Sequence, residues 1–151
     1  MKKFNKTWKV YRAKDNCSGA ASQLQLSDKG EEGHMLFWTS APQNSNKDEN
    51  GNATFAWSDT SKNVVMKLGE ADIGTILNFL NSKKGEVSLF HENNRGNTSM
   101  KMGVWERGYN VKLGSKTKEN GVVQISHSLS PGEGAVLKVL LEEALLKMYN
   151  W

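Results

Sequence analysis

Two stretches of the 151-residue sequence carry a hydrophobic period near 3.6, and each follows a series of short segments whose hydropathy alternates with a period of two. A chain patterned this way folds as strands followed by a helix, twice over. In the first round, TWKVYRAK (Thr7 to Lys14) sets Trp8 and Val10 on one face of a strand and Lys9, Tyr11 and Ala13 on the other. Leu24 and Leu26 alternate with Gln23 and Gln25 within Ala20 to Leu26. HMLFWTS (His34 to Ser40) is dense in large apolar groups, and Phe55 to Trp57 and Val64 to Leu68 read as further short strands. Residues 41–53 begin APQNSNKDENGN, where one alanine is the only apolar residue, and are expected to form a solvated, flexible loop.

The first helix starts near Gly69, with Ile73, Ile76, Leu77 and Leu80 on one face and Glu70 and Asp72 in the first turn, where the macrodipole favours anions. Lys83 and Lys84 follow its last apolar turn and Gly85 stops it. The pattern then restarts. Val87 to His91 is a strand. Met100, Met102 and Val104 alternate with Lys101, Gly103 and Trp105, and Arg107-Gly108 is a tight-turn candidate. Tyr109, Val111 and Leu113 share one face, and Asn120-Gly121 signals a hairpin completed by Val122 to Ser126. Ser130-Pro131-Gly132-Glu133 offers an N-cap serine, a proline at the first helical position and a capping-box glutamate. Val136, Val139, Leu140, Ala144, Leu145 and Met148 form the stripe of the last helix, widened by Leu137, Leu141 and Tyr149. A helix apolar over most of its girth wants a partner beyond its own sheet, which points to oligomerisation.

No apolar run approaches the ~20 residues that span a bilayer, so no membrane segment is expected. The start, MKKFNKTWKV, lacks an apolar h-region, and the first fourteen residues, with no serine and one arginine, do not read as a transit peptide. The single cysteine, Cys17, fits a reducing compartment, so an intracellular, cytoplasmic or nucleoid-associated protein is expected. None of His34, His91 and His127 has a partner at metal-ligand spacing, and no phosphate-binding glycine loop or nucleophile elbow is present. The expectation is a protein without catalytic residues, metal or cofactor.

The net charge of +4 is mild, but its distribution is not even. Residues 1–6 form a basic arm, and Lys2, Lys3, Lys6, Lys9, Arg12 and Lys14 precede the first acid, Asp15. Lys101, Arg107, Lys112, Lys116 and Lys118 follow the central hairpin of the second half. Aromatics are interleaved with both sets. Cations neutralise phosphates and rings stack on unpaired bases, a combination that binds single strands with little sequence preference. Lys101, Gly103 and Trp105 share a face, and the glycine leaves room for a base to lie flat. The expected backbone contacts are Lys9, Arg12, Lys14, Lys101, Arg107 and Lys112, and the expected stacking residues are Tyr11, Trp38, Trp105 and Tyr109, with Trp57 read as core.

FAWSDTSKNVVMKLGEADIGTILNFL, SLFHENNRG, GYNVKL and SPGEGAVLKVLLEEALLKMYNW resemble the Whirly family of single-stranded DNA-binding proteins. The likeness rests on Trp57-Ser58, Ala71-Asp72-Ile73-Gly74, Phe90-His91-Glu92, Ala135-Val136-Leu137 and Trp151, in order and spacing. Where that family has a Lys-Gly-Lys-Ala-Ala-Leu type of second strand, this chain has Ser18-Gly19-Ala20-Ala21-Ser22 followed by Leu24, without the lysines. The resemblance implies an α+β fold of one domain, two antiparallel four-stranded sheets each followed by a helix (ββββα-ββββα). It also implies a homotetramer held by the helices, with single-stranded DNA between sheets of adjacent protomers, in replication, repair, recombination or transcription. Two alternatives are an RNA-binding or annealing factor on the same fold and a transcription cofactor whose basic face meets an acidic protein.

Overall fold

The alternation of apolar and polar side chains gives each strand one face to bury, and the two helical stripes supply the cover. The computed structural model describes residues 6–28 and 33–151. Strands β1 (Lys6–Arg12), β2 (Ala20–Asp28), β3 (His34–Pro42) and β4 (Val64–Leu68) form an antiparallel sheet in chain order, followed by helix α1 (Glu70–Ser82). Strands β5 (Glu86–Asn93), β6 (Gly96–Trp105), β7 (Gly108–Thr117) and β8 (Gly121–Leu129) form a second such sheet, followed by α2 (Pro131–Met148). This is the α+β, ββββα-ββββα arrangement. Of the expected basic arm, Lys2 and Lys3 lie outside the described residues, and Lys6 already belongs to β1.

One core joins everything. Val10, Leu24, Leu36, Trp38, Met66 and Leu68 from the first sheet meet Val87, Met100, Met102, Val111, Leu113 and Leu129 from the second, with Ile73, Ile76, Phe79 and Leu80 of α1 and Leu137, Leu141 and Ala144 of α2. Asp72 Oδ2 accepts from the Gly69 N–H (2.9 Å) and from His91 Nε2 (2.9 Å), so the same carboxylate caps α1 and fastens it to β5. Lys83, at φ 54°, takes the left-handed turn that ends α1, ahead of Gly85.

Several expectations are corrected. Phe55–Trp57 is not a strand; Phe55 makes one isolated bridge to Gln43. The Gln43 side chain is turned the other way, to the β1–β2 connection. Its Oε1 accepts from the N–H groups of Lys14 (2.8 Å) and Gly19 (3.1 Å), and its Nε2 donates to the carbonyls of Lys14 (2.9 Å) and Ser45 (2.8 Å). These bonds pin the end of β3 to the β1–β2 connection, while residues 54–56 pair with it only through Asn44 N–H to the Thr54 carbonyl (2.9 Å) and Ala56 N–H to the Pro42 carbonyl (3.0 Å). Strand β3 also runs through Pro42, into the stretch read as loop. The β6–β7 turn consists of Glu106, at φ 52°, and Arg107, while Gly108 opens β7. Val104 is exposed, although Met100 and Met102 on its face are buried, because β5 begins at Glu86 opposite Gly103 and offers it no neighbour.

The capping box of α2 forms as its residues dictate: Ser130 Oγ accepts from the Glu133 N–H (3.1 Å) and Glu133 Oε1 from the Ser130 N–H (2.8 Å). Its orientation is the surprise. The buried side is Gly134, Leu137, Leu141 and Ala144, with Leu140, Leu145 and Met148 half-buried beside them. Val136 and Val139, expected in the core stripe, point outward with Leu146 and Tyr149.

Candidate nucleic-acid interface

The outward face of the second sheet is built by register. Ser88, Lys101, Lys112 and Ser126 form one row across β5 to β8, flanked by Glu86–Gly103–Asn110–Ser128 and by Phe90–Ser99–Gly114–Gln124. Lys101 and Lys112 are therefore direct cross-strand partners, both exposed. Like charges placed so are repulsive, and no carboxylate of the described residues is ion-paired with either. Gly103 has nothing within 4 Å of where a β-carbon would stand, so the surface between Lys101 and Trp105 is open. Trp105 is 52% exposed. Phe90, which the sequence reading passed over, is 60% exposed on the same face. Its alternation with Val87 and Leu89 was the available signal.

The outward face of the first sheet carries Lys9 and Tyr11. Tyr11 packs against Phe55 (centroids 5.5 Å apart) and edge-on to Trp57 (6.3 Å), and the Lys9 ammonium sits 5.2 Å from the Trp57 ring centre. Trp57 is thus half-buried in a small outer cluster with Ala21 and Ala41 and is not part of the main core.

Two expected stacking residues are not available. Trp38 is 1% exposed, and Tyr109 6%. Trp38 points inward beside Leu24 and Met66, its strand neighbours, and donates through Nε1 to Ser40 Oγ (3.2 Å). Tyr109 lies under α2, where Gly134 makes room for it: a β-carbon at Gly134 would stand 2.3 Å from Tyr109 Cε2. Phe79 meets its ring edge-on at 5.8 Å.

Four of the expected residues, Arg12, Lys14, Trp105 and Arg107, converge at one end of the molecule. Arg12, Lys14, Ser18 and Ala20 face Trp105, Asn110, Ser126 and Ser128 across a cleft of about 330 Å³. An adjoining hollow of about 460 Å³, reaching Glu106, Arg107 and Ser130, shares Arg12, Trp105 and Ser128 with it. Arg12 donates to the Tyr11 carbonyl (2.8 Å) and is ion-paired with Glu133 of α2, and partial burial lowers its pKa. Lys9, Lys101 and Lys112 stand on the sheet faces and do not line the cleft, although Lys112 is the cross-strand partner of Ser126 in its wall.

The cleft wall hides a hydrogen-bond chain between the sheets. Trp38 Nε1 donates to Ser40 Oγ, which lies 2.7 Å from Ser22 Oγ, itself 2.5 Å from His127 Nε2. His127 Nδ1 donates to the Ser128 carbonyl (3.0 Å). Burial, more than the nearby Arg12 charge, holds the His127 pKa below the ordinary imidazole value, although the bond to Ser128 works the other way. Among the described residues no group of three His, Cys, Asp or Glu side chains gathers as a metal site, and no helix is long and apolar enough to cross a membrane.

No protein-family model matches the sequence, and no curated protein does. Solved structures do match. The crystal structure of WHY1 from Arabidopsis thaliana superposes with a TM-score of 0.76 over 98% of this chain and 87% of that one, at 17% identity. The trypanosome MRP1/MRP2 crystal structures match with a TM-score of 0.66 over 95% of this chain and 94% of that one, at 14% identity. The chain has a Whirly-like fold.

Proposed function

We propose that this protein binds single-stranded nucleic acid, DNA in preference to RNA, with little sequence specificity and without catalysing a reaction. The observation that carries the reading is the Lys101–Lys112 pair: two opposed ammonium groups without an ion-paired carboxylate among the described residues, beside the open surface at Gly103 and the half-exposed Trp105. A phosphate between the lysines relieves their repulsion, and the ring offers a face to a base. The Whirly-like fold supports the same reading. The role that follows is protecting or presenting single strands in replication, repair, recombination or transcription, inside the cell. The protein acts as a homo-oligomer, a tetramer by the likeness of fold, joined through the outward apolar side of α2.

Titration with oligo-dT, followed by tryptophan fluorescence, is expected to show quenching whose affinity falls linearly with the logarithm of salt, with a slope of roughly −0.7 per neutralised phosphate. A duplex of equal length binds more weakly. Equal affinity for duplex and single strand would remove the stacking mechanism, and competition by a matched ssRNA that displaces the DNA at equal concentration would remove the DNA preference.

A further inference from the structure

A strand lying flat on a sheet has no use for the cleft at the end of the molecule, yet that cleft gathers cations and a ring from far apart in the sequence. Arg12 and Lys14 come from the end of β1 and the connection after it, Trp105 from the end of β6, Arg107 from the β6–β7 turn, and Asn110 and Ser128 from β7 and β8. We propose that the cleft holds one nucleotide of the bound strand, turned out of line with its neighbours, with its base against the Trp105 indole and its phosphate on Arg12 and Lys14. This inference rests on the single-strand reading above and specifies within it that the base on Trp105 sits in the cleft, with its phosphate on Arg12 and Lys14.

Size, chemistry and position agree. The cleft, at about 330 Å³ with a further 460 Å³ adjoining, falls within the roughly 300–1,000 Å³ of small-molecule sites. Arg12 is held from behind by Glu133 and by the Tyr11 carbonyl, so its guanidinium is oriented before a ligand arrives and keeps N–H donors to spare. The acid on the rim, Glu106, lies beside Arg107 in the turn, at the end of the adjoining hollow. Asn110 and Ser128 place an amide and a hydroxyl where the edge of a base would reach. They also belong to the row next to Lys101–Lys112–Ser126, so a strand crossing the lysine pair arrives at the cleft one row later.

Titration of the intact protein with dTMP, followed by ¹H–¹⁵N NMR, tests this. The expected result is saturable movement of the Trp105 indole N–H and of the Asn110 and Ser128 amides. Inorganic phosphate alone, or dTMP with Trp105→Ala, is expected to bind at least about fivefold more weakly, the lower end of a stacking contact, while Trp105→Phe retains most of the affinity. Trp105 is half-exposed, and an unchanged melting temperature confirms that each variant is folded. Oligo-dT binding without a saturable dTMP response overturns the cleft assignment and leaves single-strand binding standing. So do dTMP-induced changes confined to Lys101 and Lys112. Loss of oligo-dT binding as well overturns the functional reading itself.

Discussion

Trp38 Nε1 can only donate, so Ser40 Oγ accepts from the indole. The arrangement of the chain behind the cleft that gives every proton an acceptor then runs one way: Ser40 passes its own proton to Ser22, and Ser22 passes its proton to His127 Nε2. In that arrangement His127 accepts at Nε2 while Nδ1 donates to Ser128, the neutral form that its burial also favours. Protonation would reverse Ser22, leave the Ser40 proton facing two donors, and bury a charge near Arg12. Because the folded pKa lies below the unfolded value of about 6.5, the unfolded chain takes up more protons in acid, and stability is expected to fall as pH drops below about 6.5 towards the folded pKa. Melting temperatures between pH 7.5 and 5 check this. In His127→Gln, whose amide oxygen can still accept from Ser22, the acid loss should shrink; parallel profiles for the two proteins would count against the relay. Gly134 gives a second expectation at this scale. Gly134→Ala drives a methyl into Tyr109 and should cost about 1–3 kcal/mol in chemical denaturation, despite the better helix propensity of alanine. The burial of Tyr109 was legible in its alternation with Val111 and Leu113; the basic residues around it gave the wrong cue. Trp38 was less legible, since HMLFWTS is apolar on both parities and only the packing of both sheets decides which ring is covered.

The strand pattern predicts elements more reliably than it predicts which surface a helix shows. The period of two in β7 separates inside from outside most cleanly, because polar Asn110 and Lys112 alternate with Tyr109, Val111 and Leu113. In α2, apolar residues surround the axis, so the stripe through Val136 and Val139 and the one through Leu137 and Leu141 are equally good on sequence, and the sheets select the second. The opposed lysines of β6 and β7 yield a prediction in which stability and function move in opposite directions. Lys112→Glu converts a repulsive cross-strand pair into an attractive one, so at low salt the variant should be more stable by about 0.2–1 kcal/mol. The same change removes a phosphate contact and should weaken oligo-dT binding and flatten its salt slope. A variant that is more stable and binds as before would show that the pair serves no anion.

How the two sheets sit together was not legible, because nothing in local periodicity pairs Arg12 with Glu133, 121 residues away. That juxtaposition makes the cleft. The same assembly leaves α2 with Val136, Val139 and Leu146 outside, Val139 at 61% exposure, on the side opposite Leu137 and Leu141. A second copy of the chain is the occupant proposed above, and the consequence is measurable. Val139→Asp puts a charge in the middle of that surface without touching either sheet. Light scattering of the wild type is expected to give a multiple of 16.8 kDa, four by the likeness of fold, and the variant should fall towards 16.8 kDa with little change in its own unfolding. Linked protomers hold one strand at several faces, so the affinity of the assembly for a long oligonucleotide exceeds that of a protomer through effective concentration alone. The variant should therefore bind a short oligo-dT nearly as the wild type does and lose affinity steeply for a long one. A wild type of 16.8 kDa at tens of micromolar would end this account and leave each protomer to bind its strand alone.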